Sequence, residues 1–191
     1  SARMQAQLID DLLDASRIVA GKLKMEVQAF ELCPVVLAAI DSISEAAKTR
    51  SIELDVSVDQ AIGQVWSDPA RVGQVVRNLV GNAIKFTPVG GRIAVVLALE
   101  DGCASLRVSD SGTGIGPEFL PHVFDRLVQQ ESTITRRHGG LGLGLAIVRH
   151  VVESLGGSVH ANSAGIGRGS TFTATFPLTG FGRDEGLVAE I

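Results

Sequence analysis

Asp110-Ser111-Gly112-Thr113-Gly114-Ile115-Gly116 sets one carboxylate at the head of three glycines placed at every second residue. Such glycines permit positive φ and let the main chain approach a ligand closely. A carboxylate there accepts a hydrogen bond from an amino group, such as the exocyclic amine of adenine. Upstream, Asn78 and Asn82 lie four residues apart and Lys85 three further on, so the three share one side of a helix. An amide carbonyl is a neutral oxygen ligand, suited to a magnesium ion whose charge is already met by phosphates. A lysine one turn along reaches a phosphate as a point charge. Downstream, Gly139-Gly140-Leu141-Gly142-Leu143-Gly144-Leu145 opens an apolar helix, and free amides at a helix N-terminus bind phosphate oxygens. Together the three groups imply a nucleotide site. Each has a plain alternative: an ordinary turn for either glycine cluster, a solvated face for the asparagines. Phe86 packs against base or ribose, or belongs to the core. Arg136, Arg137 and His138 assist phosphate binding, or form a solvated charge run. His122, His150 and His160 have no nucleophile or metal spacing and read as structural or surface residues.

The elements that must position these residues follow from periodicity. Residues 3–28 read as one helix: Met4, Leu8, Leu12, Ala15, Val19 and Leu23 form a seam that Ile9, Leu13 and Ile18 widen. The stripe suits a coiled-coil-like pairing or docking on the chain's own globular part. A short strand is expected at 30–33, with Pro34 at a first helical position. Val36, Ala39, Ile40, Ile43 and Ala47 then give a helical face. Ile52, Leu54, Val56 and Val58 alternate as a half-buried strand, and Trp66 is assigned to the core. Asp68-Pro69 starts a helix whose inner side carries Val72, Val75, Val76, Leu79 and Ala83 and which ends at Thr87-Pro88. Residues 92–99 and 103–109 form a hairpin about Asp101-Gly102. The polar stretch 117–139, with a short helix at 118–124, has the length of a functional or mobile loop. A helix over 142–155 and strands near 158–163 and 170–177 complete the pattern. The expected organisation is a helix over 1–28, a domain over 29–178 and a linker over 179–191. Three helices with mostly hairpin-paired strands predict an α+β, two-layer sandwich, a mixed, mostly antiparallel sheet under three helices, preceded by the long helix. The G-x-G-x-G spacing followed by Pro117 argues against the dinucleotide fingerprint, and no P-loop pattern is present.

Composition narrows the classes. The 191 residues, 45% hydrophobic and 20% charged, suffice for one packed domain and an appendage. A net charge of −4 argues against a nucleic-acid partner. No apolar run approaches the ~20 residues of a membrane span, and no signal peptide opens the sequence. It begins Ser1-Ala2-Arg3, already within an amphipathic pattern, and so reads as part of something longer. Cys33 and Cys103 lack metal spacing and read as free thiols in a reducing compartment.

Five ordered motifs resemble those of the C-terminal catalytic part of bacterial sensor histidine kinases, of the GHKL ATPase superfamily. Asp68-Pro69-x-Arg71-x-x-Gln74 with Asn78-x-x-x-Asn82-Ala83-x-Lys85-Phe86-Thr87 matches the asparagine box. Asp110-x-Gly112-x-Gly114-Ile115-Gly116, Gly140-x-Gly142-Leu143-Gly144-Leu145 and Gly167-x-Gly169-Ser170-x-Phe172 match the three glycine boxes. Phe124-Asp125-Arg126 matches the start of the phenylalanine box. Leu8-Ile9-Asp10-Asp11-Leu12-Leu13-Asp14-x-Ser16-Arg17-Ile18-x-x-Gly21-Lys22-Leu23 is similar to the second helix of the family's dimerisation and phosphoacceptor hairpin. The resemblance implies the superfamily's Bergerat ATP-binding fold, with ATP under a lid at 125–139. It implies Asp110 at the adenine amine, Asn82 as ligand to Mg2+, and Asn78 and Lys85 as catalytic residues near the phosphates. Phe86, Gly112, Gly114, Ile115, Gly116, Gly140, Leu141, Gly142, Leu143, Gly144, Leu145 and Thr171 would line the nucleotide. The γ-phosphoryl group would pass to a histidine on the hairpin of the same or a sister subunit, then to an aspartate of a response regulator receiver domain. The full-length protein would be a homodimer, cytoplasmic or at the cytoplasmic end of a membrane-bound sensor.

Two departures stand out. Where the family often has Phe-Arg-Gln after Phe124-Asp125-Arg126, this chain has Leu127-Val128-Gln129. The first hairpin helix, with its His-Glu/Asp motif, is missing, and none of the four histidines has that context. The chain is therefore expected to bind ATP without phosphorylating itself and to dimerise weakly. Two other readings remain at this point: a clamp-type ATPase of the same superfamily, and a nucleotide-sensing module without transfer activity. The N-terminal helix and the absence of a following transducer domain favour the kinase.

Overall fold

The computed structural model describes residues 2–125 and 142–178. Gly139, Gly140 and Leu141, the Arg136–His138 cluster, Leu127-Val128-Gln129, most of the expected lid and the expected linker lie outside them.

The first helix, α1 (Ala2–Val19), ends well before residue 28. Gly21 takes φ +62°, its amide donates to the Ile18 carbonyl (3.1 Å), and the Lys22 amide donates to the Arg17 carbonyl (2.8 Å). This pair of reversed bonds is a glycine-dependent helix stop. Apolar spacing runs on to Leu23, but Leu23 packs on the core from a non-helical segment. The helix docks through buried Ile18 and Asp14 while Ile9, Leu12 and Leu13 stay exposed, so part of its stripe meets the domain and part does not.

Strand β1 (Gln28–Glu31) leads into α2 (Leu32–Thr49). The boundary falls earlier than expected. Leu32 and Cys33 are already helical and buried, and Pro34 still sits in the first turn, where no amide has an intrahelical partner. Strand β2 (Glu53–Val58) is followed by a single 3-10 turn, Gln60–Ile62, and by β3 (Gln64–Ser67). β3 pairs antiparallel with β1 as a separate two-stranded ribbon. Sequence periodicity shows no strand there, because four residues are too few to establish alternation. Their inward members are Val65 and Ser67; Trp66, assigned to the core from sequence, points outward and is 40% exposed.

Helix α3 (Pro69–Phe86) begins where Asp68 caps it, the carboxylate accepting from the Ala70 and Arg71 amides at 3.0 and 3.1 Å. Strands β4 (Arg92–Glu100) and β5 (Cys103–Asp110) join through Asp101 and Gly102, both at positive φ. That pair makes the hairpin turn whose twist matches its strands. After a 3-10 turn at Leu120–His122 come α4 (Gly144–Ser154), β6 (Ser158–Asn162) and β7 (Ser170–Pro177). The main sheet has the order β2-β4-β5-β7-β6, parallel between β2 and β4 and antiparallel elsewhere. Ile93, Val95, Leu97, Leu106, Val108, Phe172, Ala174 and Phe176 are buried on one face, and α3 packs between α2 and α4 on that side. This is the α+β two-layer sandwich expected from sequence. Cys33 and Cys103 are free thiols. No helix among the described residues is long and apolar enough to cross a membrane.

Candidate functional site

The site grows from three places where chain ends meet. The first is the C-terminal half of α3. Its inner side is filled by Val72, Val75, Val76, Leu79, Val80 and Ala83. The helical period then leaves Asn78, Asn82 and Lys85 together on a half-buried side. The Asn78 Nδ2 atom is buried and has no hydrogen-bond partner. An orphaned buried donor costs about 1–3 kcal/mol, which a ligand acceptor would recover. Burial also pushes the Lys85 ammonium below its usual range. Its Nζ lies 5.0 Å from the Phe86 ring centroid, and no carboxylate pairs with it among the described residues. Arg50, which the sequence reading did not single out, reaches from the end of α2 to donate to the carbonyls of Ile84 and Lys85. It thereby secures the α3 terminus that carries Lys85.

The second place is the glycine loop after β5. Asp110 is the last residue of β5 and faces the helix layer, paired across the sheet with Ile93 and Ser170. Its Oδ1 accepts from the Gly112 amide (2.8 Å) and its Oδ2 from the Ser170 hydroxyl (2.5 Å). A carboxylate has further lone pairs, so acceptor capacity remains. The loop is bound to α3 through the Thr113 amide, which donates to the Phe86 carbonyl (3.2 Å). It is bound to the β6–β7 loop by bonds from Gly167 to Thr113 (2.7 Å) and from Gly169 to Gly112 (3.1 Å). Ile115, buried, donates its amide to Ser163 Oγ (3.0 Å), and the Gly116 carbonyl accepts from Phe119 and Leu120. Contact is so close that a Cβ on Gly114 would stand 2.1 Å from the Gly165 carbonyl oxygen.

The third place is the start of α4. Gly142 has φ +68°, Leu143 is buried, and the helix begins at Gly144 with no side-chain cap. Its first-turn amides are therefore open to an anion. A Cβ on Gly144 would come 3.3 Å from Asn78 Oδ1, so the Asn78 side chain lies beside the first residue of α4. Leu145 is half-buried against the core. Phe124, at the head of the expected lid, is held edge-to-face on Phe172, with centroids 6.1 Å apart.

The structure thus brings Asn78 to Gly144, the Phe86 main chain to Gly112, and Asp110 to the β6–β7 loop. It does not bring Thr171 there. Thr171 lies on the opposite face of the sheet, its hydroxyl 3.0 Å from that of Ser109. The hydroxyl beside Asp110 belongs to Ser170. The signal was available: inward Phe172 fixes the parity of β7, and position 170 shares its face. Among the described residues no group of three His, Cys, Asp or Glu could hold a metal ion. The side-chain oxygen of Asn82 has no partner among the described residues.

The family model described as histidine kinase-, DNA gyrase B-, and HSP90-like ATPase matches residues 67–180. The chain belongs to this family. Its relatives place it on the histidine kinase branch. It is 35% identical over 173 residues to the circadian input-output histidine kinase CikA of Synechococcus elongatus, covering 90% of this chain and 23% of that protein. It is 30% identical to the mycobacterial sensor histidine kinase MprB, with a TM-score of 0.68, covering 81% of this chain and 99% of that structure. Full-length ShkA in complex with AMPPNP superimposes with a TM-score of 0.78 at 26% identity, over 92% of this chain and 36% of that one. The chain spans less than a quarter of the length of CikA.

Proposed function

We propose that this chain is the ATP-binding catalytic module of a two-component sensor histidine kinase. In this reading ATP lies between the C-terminal half of α3, the loop after β5 and the start of α4. The observation that carries it is a buried, orphaned Nδ2 on Asn78, whose side chain lies beside the uncapped, glycine-headed start of α4. A phosphate oxygen satisfies both. Asp110, already oriented by Gly112 and Ser170, accepts from the adenine amine. Lys85 sets its ammonium against phosphate, and Asn82 offers its amide oxygen to Mg2+. That ion, when bound, neutralises phosphate charge and so eases loss of the β–γ bridging oxygen. The P–O bond to ADP breaks as the phosphorus bonds to an imidazole nitrogen on the acceptor hairpin. The phosphoryl group then passes to an aspartate of a receiver domain. ShkA, bound to an ATP analogue in its structure, shares this fold and supports the reading.

Calorimetry tests it: ATP with Mg2+ should bind more tightly than GTP. Equal affinity would remove Asp110 as the adenine acceptor. In the full-length protein, γ-labelled ATP should give an acid-labile phosphohistidine. Binding without such a label would leave a nucleotide sensor, not a kinase.

A further inference from the structure

Asp14, on α1, is 7% exposed, yet a helix expected to pair with another helix has no evident need of a buried carboxylate. Its Oδ2 accepts from Arg71 Nη1 (2.6 Å) and from Gln74 Nε2 (2.8 Å). Arg71 also donates to Gln74 Oε1 (2.8 Å), closing a triangle. Arg17, one turn along α1, adds its charge from 3.8 Å. A second tie lies beside it. The amide of Glu26, in the segment following α1, donates to Oδ2 of Asp68, the α3 cap (2.8 Å). Among the described side chains of α1, Ile18 is buried and Ala15 packs against the core, while Ile9, Leu12 and Leu13 are exposed. Burying a carboxylate is costly unless it is fully paired, and a pair of this kind fixes register better than it adds stability.

The position of the pair matters more than its strength. Arg71, Gln74, Asn78, Asn82 and Lys85 follow one another on α3 at steps of three and four, and so lie along one side of the helix. Gln74 is one turn from Asn78 and about 12 Å along the axis from Asn82. α1 also packs on α4, whose first residue abuts Asn78. Both helices that present the phosphate-binding groups therefore touch α1. We infer that Asp14 is a positioning residue for phosphoryl transfer: it pins α1 to the first turn of α3 and so sets where the acceptor hairpin stands relative to the phosphates. The transfer role rests on the function proposed above; the pin itself does not.

The test uses the full-length protein with Asp14→Asn, Asp14→Ala, Arg71→Gln, and the pair Asp14→Asn with Arg71→Gln. Hydrogen exchange at α1 amides 12–19 should quicken at least tenfold in the single variants, with α2 and β4 unchanged. ATP affinity should stay within twofold, while the single-turnover rate of phosphohistidine formation falls at least tenfold. The paired variant, which restores a neutral amide–amide contact, should recover part of both losses. Unchanged α1 exchange would overturn the pin. Faster exchange with an unchanged transfer rate would reduce Asp14 to a structural contact. A parent protein that forms no phosphohistidine would overturn the kinase reading, while the exchange data would still decide the pin.

Discussion

At the N-terminal end of α3, Asp68 is bonded by three amides, and Arg71 and Gln74 share the carboxylate of Asp14. Two turns further on, Asn78 has a buried orphan donor, Asn82 has no partner among the described residues, and Lys85 is held below its ordinary pKa by burial. These residues lie on one side of one helix. Most buried polar groups in a folded domain are paired within it. The closed end is an internal contact, and the open end, where three neighbouring polar side chains lack partners together, is the surface proposed to bind nucleotide.

The comparison is broken most strongly at Asn82. Asn82→Ala should abolish the magnesium dependence of ATP binding and lower phosphoryl transfer by on the order of 100-fold, with thermal stability held or raised because alanine favours helix. Titrations with ATP with and without Mg2+ check this, and an unchanged Mg2+ effect would remove Asn82 as the ligand. Next comes Asp110→Asn, which puts a donor where Gly112 and Ser170 now donate. It should cost about 1–3 kcal/mol of ATP affinity and erase the preference for ATP over GTP. Ser170→Ala should do the same more weakly, whereas Thr171→Ala should leave affinity unaltered. Equal effects of the two, read by calorimetry, would mean that the parity of β7 is wrong.

Smaller effects sharpen the contrast. Arg50→Met should lower stability by about 1–2 kcal/mol through loss of its bonds to the α3 terminus, seen as a lower thermal midpoint. At the closed end the variable is pH. Burial pulls the Asp14 carboxyl upward, but bonds from Arg71 and Gln74 and the charges of Arg71 and Arg17 outweigh it, leaving the pKa below the ordinary carboxylate value. Its contribution is therefore complete above that value, about 3.9, and is lost as pH falls through the lowered one. Exchange at α1 amides should be flat from pH 7 to 5, after correction for intrinsic rates, and rise below about pH 4. Asp14→Asn should lack that rise.

Much of the fold is legible in local chemistry. Asp68-Pro69 and Asp101-Gly102 each dictate a backbone event within two or three residues, and the structure follows both. Local chemistry fails where two signals compete or where pairing is distant. The apolar period over residues 3–28 hides the stop at Gly21, and β3 is too short to have a period. Grouping Asn78 and Asn82 with Lys85 needed only helical spacing. Asp14 lies 57 residues from Arg71, and nothing in either neighbourhood announces the other. Thr171 and Ser170 differ by one position, which in a strand places them on opposite faces.

The loop after Asp110 and the loop before Ser170 interlock through main-chain bonds, with no room for a Cβ at Gly114. A ribosome delivers these halves at different times. Asp110 and Ser170 are separated by 60 residues, which at about 5–20 residues per second is roughly 3 to 12 s of synthesis. During that interval the nascent chain can already form α3 and the β4–β5 hairpin, but Asp110 has no hydroxyl beside it and Gly114 no carbonyl against it. The nucleotide pocket therefore closes as one of the last events in making the domain, and a chain stopped before β7 should emerge with much of its helical layer and no place for adenine.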